Sequence, residues 1–72
     1  MNFLDQISTL KRLDALIRRK GTGTPRQLAS RLEISRTSVF NYLNILKNLG
    51  APIAYCNHRQ SYFYQEPFTL VL

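Results

Sequence analysis

A chain of 72 residues holds one domain, and at that length only about 60% of the unfolded surface is buried, which excludes a deep water-excluding pocket beside the core. Ten Lys and Arg stand against four Asp and Glu, and a net charge of +6 suits a polyanionic partner, although small basic domains also use charge for solubility. The single cysteine, Cys56, excludes an internal disulfide; no apolar run reaches the ~18 residues of a membrane span, and no signal-peptide pattern opens the chain. A cytoplasmic protein with no membrane partner is expected.

The first helix is predicted over about 3–20. Asn2 caps it, Asp5 suits its positive end, and Phe3, Ile7, Leu10, Leu13 and Ile17 recur on one face. Leu4 and Leu16 fall off that face. Arg18, Arg19 and Lys20 close the last turn, where cations suit the helix dipole, and Gly21 supplies a left-handed cap. Gly21-Thr22-Gly23 reads as a short flexible joint. Thr24-Pro25-Arg26-Gln27 then carries a helix start, with Thr24 and Gln27 as a capping box and Pro25 where its missing N–H does no harm. Helix two runs over about 25–32, with Leu28 and Leu32 inward and Ala29 where another helix comes close.

Glu33-Ile34-Ser35 is a tight turn, and Ser35 caps a third helix over about 36–49 that stops at Gly50 and Pro52. The period then changes. Residues 53–56 and 61–64 are β-prone runs around Asn57-His58-Arg59-Gln60, a hairpin whose tip lacks glycine, within a wing of about 53–65. An apolar tail occupies 67–72. The expected fold is therefore α+β, mainly α: a three-helix helix-turn-helix core followed by a β-hairpin wing, forming a single domain over 1–72.

Two short helices joined by a three-residue turn make a helix-turn-helix, with Leu28, Leu32, Ile34, Val39 and Tyr42 as its apolar framework. Glu33 departs from the glycine usual in that turn. From Leu10 to Ile53, and above all in ISRTSVFNYLNILKNLGAPI, the chain resembles the winged helix-turn-helix domain of DeoR-type and biotin-repressor-like bacterial transcription regulators. The resemblance implies sequence-specific binding of double-stranded DNA through helix three. Ile34-Ser35-Arg36 opens that helix, residues 49–53 lead into the wing, and Tyr62 matches the aromatic of the second wing strand. Where the family often carries an Arg-Asp pair, this chain has Asn41-Tyr42. Members usually carry a ligand-binding or catalytic domain after the wing, and this sequence stops at Leu72.

Helical periodicity gives the third helix an apolar face of Val39, Leu43 and Leu46, flanked by Tyr42 and Leu49, and an opposite stripe of Thr37, Asn41, Asn44 and Asn48. The stripe is polar and uncharged. Asn pairs bidentately with adenine, and Thr offers a hydroxyl or meets a thymine methyl. Arg36, Thr37, Asn41 and Asn44 are the candidates for base readout, with a merely solvated face as the plainer alternative. Thr24, Arg26, Ser38, Lys47, His58 and Arg59 are the candidates for DNA backbone contacts. Phe40 either packs on helix one or meets a thymine methyl.

No catalytic set is visible: His58 has no acid–base partner nearby, and the four acids are scattered. A lone histidine is poor evidence for a metal. Cys56 reads as a small buried hydrophobe in a strand. No cofactor, metal, small-molecule partner or enzymatic activity is expected. The alternative function is a winged-helix protein-interaction or dimerisation module, with a homodimer built from helix one (Leu4, Leu16) and the apolar tail. RNA binding requires Tyr55, Tyr62 and Tyr64 to form an open stacking face.

Overall fold

Asn2 opens the first helix with its Oδ1 accepting the amide of Asp5 at 2.8 Å, and α1 (Phe3–Arg18) follows, in a computed structural model that describes residues 2–72. The second helix, α2 (Pro25–Leu32), starts on the expected capping box: Thr24 Oγ1 accepts from Gln27 N at 3.2 Å, and Gln27 Oε1 accepts from Thr24 N at 2.9 Å. Ser35 caps α3 (Arg36–Asn48) by accepting from Ser38 N at 3.1 Å. Each side chain answers an amide that a helix start leaves without a partner.

All three helices end the same way. A residue in the left-handed region turns the chain, and the next amide reaches back to the carbonyl five residues earlier. At α1 the residue is Lys20 (φ 54), with Gly21 N donating to Leu16 O at 3.0 Å. At α2 it is Glu33 (φ 58), with Ile34 N donating to Ala29 O at 3.0 Å, and at α3 it is Gly50 (φ 100), with Ala51 N donating to Leu46 O at 3.0 Å. Gly21 is thus not the left-handed residue of α1; the helix stops two residues earlier than expected and Lys20 takes that conformation.

The core is the set predicted from periodicity, except at the start of α1 and at Leu49, which is exposed. Leu10, Leu13 and Ile17 of α1, Leu28, Ala29 and Leu32 of α2, and Val39, Tyr42, Leu43 and Leu46 of α3 are buried together with Ala51. Phe3 shares their helical face but lies beyond the reach of α2 and α3, and it is 72% exposed.

The strands β1 (Ile53–Cys56) and β2 (Ser61–Tyr64) pair antiparallel, Ile53 opposite Tyr64 and Cys56 opposite Ser61. Gln60 (φ 52) supplies the left-handed position in the four-residue tip, which explains how a hairpin without glycine closes. Cys56 is half-buried rather than part of the core.

Two polar clusters fasten the hairpin to the helices. Thr22 is wholly buried: its amide donates to Ser61 Oγ at 3.1 Å, its Oγ1 accepts from Tyr62 N at 2.9 Å, and the two hydroxyls lie 3.1 Å apart. The segment expected to be a flexible joint is therefore a latch. In the second cluster, Asp14 accepts from Tyr64 Oη at 2.6 Å and from Arg18 Nε at 2.9 Å, and Arg18 lies over the Tyr64 ring and donates to Phe68 O. Burial first, then the bond to Asp14, pushes the Tyr64 phenol well above the ordinary tyrosine range. The tail divides at this point: Phe68 and Leu70 pack on the core, whereas Val71 and Leu72 are exposed.

Candidate nucleic-acid interface

The third helix is held from behind by its four buried residues and by α2, against which it packs through the turn at residues 33–35. Its outward side is free. Arg36, Thr37, Asn41, Asn44 and Asn48 are all exposed, and none makes a side-chain hydrogen bond to another described residue. Unbonded donors and acceptors aligned over three turns of a rigid helix can reach the edges of bases in a major groove.

The flanks of the stripe differ. On one side stand Arg36, Lys47 and Phe40, all exposed; Phe40, at 44%, lies outside the core rather than packed within it. On the other side, Ser38 and Ile45 border a shallow cleft of about 300 Å³ against Gln6 of α1, with Asn41 at its rim. Ser38 is half-buried and its Oγ accepts from Ser35 Oγ at 3.0 Å, which leaves its own proton available to an outside acceptor.

The backbone candidates do not form one cluster. Thr24 sits at the start of α2, with its oxygen engaged by the capping box and its proton free, and Arg26 lies one residue inside the helix, exposed. His58 and Arg59 are exposed at the hairpin tip. Arg59 is drawn towards the α1–α2 joint, where it borders the same notch as Lys20, Gln27 and Arg31. The sequence reading missed Lys20 and Arg31 as members of that notch. Their positions depend on the path of the joint, whose latch pairs residues 39 and 40 apart in the chain.

The sequence pattern of the HTH domain family matches residues 8–59. The chain belongs to that family. Three helices followed by an antiparallel hairpin make it a winged helix-turn-helix, a DNA-binding domain. No characterised protein and no solved structure shows a significant match to it.

One other chemistry of this helix-turn-helix domain, the stacking of unpaired bases, is decided by geometry. The tyrosines of the hairpin do share one face, but Tyr62 and Tyr64 pack against the core, and Tyr55 meets Tyr62 edge-on at 4.9 Å. They form no open platform for unpaired bases. Among the described residues no helix is long and apolar enough to cross a membrane, and no three of His, Cys, Asp and Glu are grouped to hold a metal ion.

Proposed function

We propose that this domain binds double-stranded DNA sequence-specifically, as the reading head of a cytoplasmic bacterial transcription regulator, and acts by binding rather than catalysis. The observation that carries the proposal is the unbonded stripe of α3. Four uncharged polar residues stand exposed in line, beside Arg36 and Lys47 and opposite the buried face. Asn41 and Asn44 suit adenine, Thr37 suits thymine, and Arg36 suits guanine or a phosphate at the start of the groove. Thr24, Arg26, Ser38, Lys47, His58 and Arg59 take backbone phosphates.

Selection from random duplexes at several salt concentrations tests this directly. An enriched motif is expected, with affinity that falls steeply as salt rises. Asn41→Ala and Arg36→Ala should each weaken the selected site by about 1–3 kcal/mol and relax the preference at one position. Unchanged affinity and preference in both variants would remove α3 as the reader.

A second reading has its own support. Phe40 and Ile45 are exposed beside the stripe, Leu49 is exposed at the end of α3, and Leu4 and Val71 protrude elsewhere. A protein partner, or a second copy of the chain, would cover such side chains. A dimer built on Leu4, Leu16 and the apolar tail contracts to Leu4, Val71 and Leu72, because Leu16, Phe68 and Leu70 already pack on the core. An intact protein that is a monomer in solution, and remains one when Val71 and Leu72 are removed, would dismiss the dimer.

A further inference from the structure

The notch between the end of α1, the flank of α2 and the hairpin tip has a chemistry that the stripe of α3 lacks. Lys20, Arg31 and Arg59 approach it from three separate segments, around a volume of about 220 Å³ floored by Gly21 and Gly23. No acid lines it. The one ion pair among the described residues joins Arg18 to Asp14, so these three cations are not neutralised internally. The Arg31 side chain is also fixed in place: its guanidinium donates to Gly21 O. A guanidinium already held loses little further freedom when it binds, and four of its five N–H groups remain. Space for a ligand lies at Gly21, where an added Cβ would meet nothing within 4 Å; at Gly23 it would meet Gln27 Oε1 at 2.5 Å.

We propose that Lys20, Arg31 and Arg59 form a phosphate-binding notch that takes a backbone phosphate of duplex DNA outside the base pairs read by α3. Arg31 lies on the flank of α2 turned towards α1, and no residue of α3 lines the notch, so the phosphate it takes lies outside the groove that α3 reads. Its open form suits a phosphodiester on a passing strand better than a small ester that needs enclosure. The duplex as occupant rests on the DNA-binding reading above; the phosphate chemistry of the notch does not.

The experiment therefore has two arms, each comparing the wild-type chain with Lys20→Gln/Arg59→Gln. Both side chains are exposed and hydrogen-bond to no described residue, so the variant retains the fold. In the first arm inorganic phosphate is titrated against chloride at matched ionic strength, with the amide signals of Gly21 and Gly23 followed by NMR. Saturable shifts are expected in the wild type and their loss in the variant; shifts that are linear, or equal in the two proteins, overturn the notch. In the second arm affinity is measured against salt on the selected motif, trimmed or extended at both ends. On the extended duplex the salt slope of the variant should be smaller by about one, with the preferred motif unchanged. Equal slopes beside saturable phosphate binding overturn the duplex as occupant. Phosphate binding by a protein that selects no duplex overturns the reading of α3 and the duplex together, and assigns the notch to a smaller phosphate ester.

Discussion

The outer face of α3 and the seam beneath the hairpin are built from the same kinds of side chain and behave in opposite ways. In the seam, Thr22 and Ser61 are almost fully buried and bonded to each other and to backbone amides, and Asp14, Arg18 and Tyr64 close a second ring of contacts. On α3, Thr37, Asn41, Asn44 and Asn48 have no partner among the described residues. No buried side-chain polar atom among the described residues lacks a hydrogen bond, so satisfaction inside and openness outside are separated cleanly. A polar group with internal partners fixes the fold, whereas one without them is left for a ligand.

That division predicts that mutations in the two regions fail differently. Thr22→Val keeps the shape of the side chain but removes the acceptor of Tyr62 N and the donor to Gly23 O. Leaving buried groups unpaired costs about 1–3 kcal/mol each, so urea denaturation should show a loss of about 2–3 kcal/mol. The motif selected by the remaining folded protein should not change. A shifted motif would break the division, because it would make the latch part of the reading surface.

Tyr64→Phe sharpens the same comparison through pH. Removing the hydroxyl deletes the bond to ionised Asp14, with an expected loss of about 1–2 kcal/mol at neutral pH, since the pair is only partly buried. The phenol is held above its ordinary value by burial and by Asp14. A raised folded pKa means that the folded protein keeps a proton that the unfolded chain releases. Its contribution is therefore complete below about pH 10 and is lost as pH rises beyond that. Thermal melts between pH 8 and 11 should fall more steeply for the wild type than for Tyr64→Phe. Parallel profiles would show that the ring of contacts carries no linkage.

Most of the architecture was legible because it is local. Caps at Asn2, Thr24 and Ser35 act over three residues, and the apolar face of α3 follows from its period. The exposed face of the candidate reader was legible for the same reason. Non-local partners were not: nothing near Thr22 announces Ser61, and nothing near Asp14 announces Tyr64. Arg59 stands in the sequence as a candidate for a DNA backbone contact, but its neighbours Lys20 and Arg31 emerge only once the latch has set the joint against the hairpin tip. Phe3 marks the converse error, in which a correct period runs past the end of the core.

The smallest expected effect lies between the two regions, at the turn of the helix-turn-helix itself. Of the three left-handed residues that end the helices, only Gly50 is a glycine; Lys20 and Glu33 hold the conformation with a side chain, which costs about 1–2 kcal/mol. Replacing Glu33 by glycine relieves that strain but frees the unfolded chain, so the net gain should be about 0.5–1 kcal/mol. The substitution also removes a negative charge three residues before Arg36. Glu33→Gln separates the two effects, since it removes the charge and keeps the strained backbone. Both variants should bind duplex more tightly than the wild type and equally with each other, because a carboxylate beside the start of α3 repels phosphate. Only Glu33→Gly should unfold at a higher urea concentration than Glu33→Gln. Equal stabilities would mean that Glu33 sits in the turn without strain, and unequal affinities would mean that its backbone, not its charge, sets how α3 meets DNA.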